Sequence, residues 1–430
     1  MHESERREVV ILGGGAMGTA AALALARRGI DALLLERWTI GHRLGSSHGG
    51  TRVFRLAYFE HADYVPLLRE AVEGFRRVEQ ESGERLLESC GVLIVGEDDS
   101  TLISASAESA RQHGIPVERL SAGEVAERFP QFAGAGGGPA QGLLEPGAGF
   151  VRPELAVRSM ARLARARGAE VRERIEVRGW RPRRDGIEVE TRDGRILAER
   201  LVLTAGAWNP GVPDPAGLDQ AARDPAVTHG NSAAHDAASR RGLLSPIDGE
   251  PFPIPLVPTR QVQAWLRVED PALASPARLP AWLLDRRGRP ALYGIPIDPR
   301  AGEVDLGRGL AKIAVHGDGR AVDPDRFDRA ASAEEVASLE ALAREHLPGL
   351  RGRIASAGTC LYTNSPDGHF VIDLHPADPR VAVAAGFSGH GFKFAPVVGE
   401  VLADLAMTRR ATPSVSAARP IGFLSLRARA

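Results

Sequence analysis

Between an apolar run at 9–12 and a second at 32–35 the chain carries GGGAMG at 13–18, and this spacing leaves few folds open. A buried strand, a tight glycine turn, a helix over 19–28 stopped by Gly29, and a second strand ending at Glu36 make a βαβ unit. Gly13 is expected to form the turn, Gly15 to admit a pyrophosphate against the backbone, and Gly18 to let helix and strand touch. Ala16 and Met17, at the helix start, belong with them, because free N–H groups and the positive end of the helix dipole point at phosphates there. Glu36 suits a ribose hydroxyl and repels a 2′-phosphate, which disfavours NADP; Arg37 follows at the same edge. FAD and NAD both satisfy these residues.

Composition narrows the partners. A 430-residue chain that is 43% apolar and 25% charged has material for two cores and the balance of a soluble globular protein. A formal charge of -1 gives no field for nucleic acid or an anionic membrane. No apolar run approaches the roughly 18 residues of a membrane helix, and MHESERRE is not a signal peptide. The two cysteines, Cys90 and Cys360, have neither disulfide-scaffold nor metal-ligand spacing, so a cytoplasmic protein without a metal site is expected. Of 54 basic residues only Lys312 and Lys393 are lysine. Lysine, unlike arginine, has a movable pKa, which singles out these two positions.

Further along, 168–190 alternates like hairpin strands and 200–206 (RLVLTAG) like a buried strand of the same sheet. The stretch 210–249 has no lasting periodicity and is read as a long surface loop or flexible insertion. A strand is expected at 260–267 and a helix at 332–346, opened by the capping pair Ser332 and Glu335. The region 381–407 gives a strand, the loop GFSGHG and a helix.

These landmarks, taken in order, resemble the monomeric sarcosine oxidase and N-methyltryptophan oxidase group of FAD amine oxidases. The resemblance rests on GGGAMG at 13–18, SSHGGTRVFR at 46–55, EPGAG at 145–149, TAGAW at 204–208 and PTRQV at 258–262. It continues through LYGIP at 292–296, AKIAVH at 311–316, TCLYTNSPDGHFVIDLHP at 359–376 and AAGFSGHGFKF at 384–394. It implies an α/β fold: a Rossmann-like FAD-binding domain (1–85, 146–210 and 350–430) interleaved with an α+β substrate domain on a mainly antiparallel sheet (86–145 and 251–349). An insertion occupies 211–250.

The resemblance also implies roles. Lys312 corresponds to the lysine over the flavin face where O2 is reduced, where a pre-placed cation lowers the barrier. Arg55 and Lys393 match the pair that holds a substrate carboxylate, with Tyr362 and Tyr293 lining the pocket and His316 as its histidine. His48, Thr51 and Arg52 match the segment beside the flavin ring, and Arg52 is read as both flavin-proximal and catalytic. Phe387, Gly389, His390, Gly391 and Lys393 should pass the flavin pyrimidine, and Cys360 matches the cysteine that carries the flavin through an 8α-thioether.

The expected activity is oxidation of the C–N bond of a secondary or N-methyl amino acid, with O2 as acceptor, in a monomer or small homo-oligomer. Alternatives are a dehydrogenase with a non-oxygen acceptor, an oxidase of cyclic or glycated amino acids, and a flavoprotein used as a binding module. Two departures stand out. The 210–249 stretch exceeds the family's connection, and Ser47 and Gly50 replace a second histidine and an aspartate.

Overall fold

The strand Glu5–Leu12 lies inside an eight-stranded sheet, paired in parallel with Ala32–Leu35 on one side and Arg195–Leu203 on the other. The computed structural model describes residues 5–132, 141–210, 242–302 and 306–407. All four residues of Ala32–Leu35 are buried, as a strand covered on both faces requires. The strand Glu170–Arg172 extends the sheet beyond Ala32–Leu35. One edge of Arg195–Leu203 is shared: residues 195–198 pair antiparallel with Gly186–Thr191, whose other edge carries Val177–Arg183, and 201–203 meet Asp378–Ala385 in parallel.

Helix Ala16–Arg27 starts three residues before its expected position and is buried over eleven of its twelve residues. It packs with Pro153–Ala166, Val65–Ser82 and Ala395–Met407 in one core. Its alanine face permits close approach: a Cβ on Gly399 would stand 2.5 Å from the Ala20 backbone.

A nine-stranded sheet forms the second layer system, built around Val257–Val268, Ala311–Val315 and Leu292–Ile295 in antiparallel order. Among the described residues its one parallel pairing joins Ala281–Leu284 to Val92–Gly96. Helix Ala333–His346 covers it, and the Ser332–Glu335 capping box is formed, with Ser332 N donating to Glu335 Oε2 at 2.8 Å.

Two expectations are corrected. Strand Gly352–Asn364, placed by the sequence in the dinucleotide domain, pairs with Val257–Val268 along its whole length and belongs to the nine-stranded sheet. A twelve-residue strand leaves a long open edge, and Gly352–Asn364 satisfies it. The 210–249 stretch is not surface loop throughout: Leu244 is buried, and the Leu243 carbonyl accepts from Trp180 Nε1 at 2.8 Å. Residues 211–241 lie outside the described residues. Among the described residues no helix is long and apolar enough to cross a membrane.

Candidate active site

The glycine turn forms one end of a cavity of about 480 Å³. Gly13 has φ +98°, and a Cβ there would press to 2.7 Å from Thr204 O. At Gly18 the clash would be 1.8 Å from Gly13 O, so this glycine serves packing and does not line the cavity. Gly15 differs: its nearest neighbour would be Ser47 Oγ at 3.4 Å, leaving the helix start open toward the cavity. Ser47 Oγ also accepts from Ala16 N at 3.2 Å, giving this departure a structural role. Glu36 accepts from Gly14 N at 2.7 Å and Trp38 N at 2.8 Å and lines the cavity. Arg37 lines it too, its guanidinium 2.8 Å from Asp325. An open glycine-lined helix start with a buried carboxylate beside it fits the phosphate and ribose of FAD.

From there the cavity runs between the two sheets to Tyr293, His316, Cys360, Tyr362 and Lys393. Strand register explains the far wall. Tyr293 stands opposite Ala314, Ala314 opposite Gln263, Lys312 opposite Trp265, and Cys360 opposite Gln261. Alternation then puts Tyr293, Lys312, Gln263, Cys360 and Tyr362 on one face of the sheet. His316, just past the strand end, meets Tyr362 Oη through Nδ1 at 3.2 Å. Burial pushes His316 below its usual value, partly offset by Glu60, so it is neutral at ordinary pH. Burial likewise raises the Tyr293 phenol to about 12. Cys360 is a buried free thiol on the cavity wall, whereas the half-buried Cys90 thiol is pushed up to about 11 by burial and lies elsewhere.

The two expected carboxylate-binding cations meet in this end of the cavity, in different company. Arg55 is 3% exposed, donates to Ala57 O at 2.7 Å and to Glu60 Oε2 at 2.6 Å, and stacks over Phe59 at 4.0 Å. Burial opposes ionisation of Glu60, but Arg55, His390 and Lys393 outweigh it and hold its carboxyl at about 2. Lys393 donates to His390 O at 2.9 Å and to Tyr58 Oη at 3.5 Å. Burial lowers it to about 7, against a raising effect of Glu60 and with a further lowering by Arg55. Loop residues Phe387, Gly389, His390 and Gly391 line the same end, and Gly389 packs its backbone against Tyr362, where a Cβ would lie 2.3 Å from the ring.

Lys312, His48 and Thr51 are not on the wall of this cavity. Lys312 donates to Gly49 O and Thr51 O, both at 3.1 Å, and lines a second hollow of about 40 Å³ with Thr51, Trp265 and Glu154. Arg52, which does line the large cavity, donates to Thr51 O and Ser46 O, each at 3.0 Å. Burial and then Arg52 drive Lys312 well below its usual value, and burial, Arg52 and Lys312 do the same to His48.

Sequence reasoning missed Glu60, Tyr58, Glu154 and Gln263. Glu154 fastens the segment by accepting from Gly49 N at 2.7 Å and Gly50 N at 3.2 Å. Gln263 is 1% exposed, and among the described residues neither its amide nitrogen nor its oxygen has a hydrogen-bond partner. None of the four stands in a spacing that marks it; the alternation of 260–267 was the only signal for Gln263.

Comparison with known proteins matches residues 8–405 to the family described as FAD dependent oxidoreductase. The chain is 37% identical over 423 residues to the monomeric sarcosine oxidase of Streptomyces avermitilis, covering 98% of this chain and 97% of the relative. It is 29% identical over 412 residues to the N-methyl-L-tryptophan oxidase of Yersinia pestis, covering 95% and 97%. The solved structure of NikD, an amino acid oxidase essential for nikkomycin biosynthesis, superposes with a TM-score of 0.74 at 25% identity, covering 96% of this chain and 97% of that one.

Proposed function

This chain belongs to the FAD dependent oxidoreductase family, and from that starting point we propose that it oxidises the C–N bond of a secondary or N-methyl amino acid. The observation that carries the substrate class is the pair of buried cations, Arg55 and Lys393, at the end of the cavity remote from the glycine turn. An amine with a carboxylate is the ligand that such a pair selects from neutral amines.

FAD, when bound, accepts a hydride equivalent from the carbon beside the substrate nitrogen. Gly13, Gly15, Ala16, Met17 and Glu36 hold its dinucleotide portion. Arg55 and Lys393 fix the carboxylate, and the resulting orientation replaces a bimolecular encounter by a positioned one. His316, neutral through burial, favours the neutral form of the substrate amine that the oxidation requires. Tyr293 and Tyr362 close the pocket around it. For an N-methyl substrate the balance is R–NH–CH3 + O2 + H2O giving R–NH2 + CH2O + H2O2.

Lys312 is assigned to the O2 side, with Arg52, which lines the large cavity, as the neighbouring cation; positive charge there would lower the cost of the negative charge that reduced oxygen gains. Cys360 is assigned to covalent attachment. Cys360 would hold the flavin through its Sγ at the 8α carbon, an attachment that would release two protons and two electrons with O2 as the acceptor. A free thiol on the cavity wall supports this assignment, and two unpaired cysteines accord with a cytoplasmic enzyme.

Anaerobic mixing with N-methylglycine, N-methyltryptophan, proline and a glycated amino acid, followed by flavin bleaching, tests the substrate class. Bleaching by N-methyl amino acids is expected. Equal bleaching by amines lacking a carboxylate would refute the roles of Arg55 and Lys393. Stoichiometric peroxide under air is expected, and turnover only with an artificial acceptor would make the enzyme a dehydrogenase.

A further inference from the structure

Arg55 and Lys393 differ in one respect that bears on binding. Arg55 is neutralised by Glu60 at 2.6 Å, whereas the two acceptors of Lys393, Tyr58 Oη and His390 O, carry no charge.

The orientation of Tyr58 follows from its neighbours. His390 Nε2 lies 3.0 Å from Gly368 O, and a carbonyl can only accept, so Nε2 carries the proton. The remaining ring nitrogen, Nδ1, is then a lone pair 2.6 Å from Tyr58 Oη, so the phenol donates to it. With its proton committed to His390, Tyr58 presents oxygen lone pairs toward Lys393. Both groups stay neutral: burial drives His390 down to about 3 and the Tyr58 phenol well above its usual value. The relay is rigid as well as neutral. Tyr58 is 1% exposed and packs edge-on against Tyr64 at 5.5 Å and Phe394 at 5.7 Å.

We propose that Tyr58 and His390 are positioning residues that aim the Lys393 ammonium into the cavity and leave its charge available to the substrate carboxylate. This rests on the reading of Lys393 as a carboxylate ligand. The groups that face Lys393 are Glu60, Arg55, Tyr58, His390 and, more remotely, His316. Glu60 is claimed by Arg55, so the Gly368–His390–Tyr58 line remains as the directional support. A carboxylate in place of Tyr58 would cancel the charge; a hydrocarbon would leave the ammonium poorly solvated.

The test uses the flavin-loaded enzyme and acetate as a bare carboxylate, with binding read from the flavin absorbance between pH 6 and 9. Tyr58→Phe keeps the ring packing and removes the acceptor. It is expected to weaken acetate binding about tenfold at pH 8, the scale of one charge-assisted hydrogen bond. Without the acceptor the ammonium loses its proton more readily, so the alkaline loss of binding moves to lower pH. The limiting rate of anaerobic flavin reduction by N-methylglycine should stay within about twofold, with the change confined to its KM. His390→Leu should lower acetate affinity and shift its pH profile as Tyr58→Phe does, and His390→Gln, which can still accept from Tyr58 and donate to Gly368, should restore most of the affinity.

Unchanged acetate affinity and pH profile in Tyr58→Phe would overturn the proposal. So would a lower Tm with the pH profile unmoved, because Tyr58 would then be only a packing residue. Lys393→Met separates the two levels. If it binds acetate like the parent, the carboxylate reading of Lys393 fails; if it loses binding while Tyr58→Phe does not, only the relay fails.

Discussion

Arg55 and Glu60 form a buried ion pair whose halves are worth less apart than together. Removing one partner of such a pair costs roughly 3–5 kcal/mol, because the remaining charge stays buried and unpaired. Glu60 keeps 16% of its side chain in contact with solvent, so Arg55→Met is expected toward the lower end of that range in urea unfolding. Adding Glu60→Gln should recover most of the stability and none of the substrate affinity, which separates the structural half of the pair from the binding half. Lys393 shares the sign of linkage with Glu60, since both pKa values are lowered in the folded state, but it acts in a different pH window. With its pKa lowered to about 7 in the folded state, the unfolded chain binds the extra proton between that value and about 10.4. Stability therefore rises with pH across this window. A series of melts at pH 7 to 9.5 should show a positive slope that Lys393→Met flattens. At this scale the sequence was legible wherever a residue's type is constrained by its neighbours in the chain, as at Gly13 and Gly18. Tyr58 was invisible because its role comes from His390, more than three hundred positions away, and Glu60 because five residues from Arg55 is no spacing that marks an ion pair.

The helix that opens at Ala16 and the turn before it were readable because each glycine answers a local steric demand, and that demand differs from one to the next. Gly18→Ala would drive a Cβ into backbone at 1.8 Å, so the variant is expected to fail to accumulate as folded protein. Gly15 has an ordinary φ of -74° and open space beside it. Gly15→Ala should therefore fold, with a near-normal circular dichroism spectrum, but purify with a much reduced ratio of flavin to protein. Equal flavin content in this variant would remove Gly15 from the phosphate site. Strand assignment was less legible. The strand Gly352–Asn364 follows a helix of the nine-stranded sheet and precedes the hairpin of the other sheet, and nothing in its own pattern says which of the two it joins. Its register with Val257–Val268 decides the matter and brings Cys360 to the cavity.

Two sheets facing one another with the cavity between them make the dinucleotide end and the reactive end properties of the whole chain. The covalent assignment belongs to this scale, since Cys360 on one sheet would be tied to a cofactor seated on the other. After denaturing electrophoresis the protein band should fluoresce, and Cys360→Ala should release its FAD. A non-fluorescent band from the parent enzyme would defeat the assignment. Lys312 also belongs here: the sequence singled it out, but its backbone acceptors, Gly49 O and Thr51 O, lie far away in the chain. Sequence spacing cannot tell which of two hollows a side chain will line.

The scarcity of lysine, together with the burial of both copies at 3% and 6% exposure, has a practical chemical consequence. Amine-directed reagents, which modify most proteins indiscriminately, find no exposed lysine side chain on this one. Acylation of the folded enzyme at pH 8 should therefore report on two interior positions and the α-amino group alone. Lys393, already part-deprotonated at that pH, is expected to react and to be shielded by a bound carboxylate. Cross-linking, surface immobilisation or dye attachment through lysine would then be an assay of cavity occupancy.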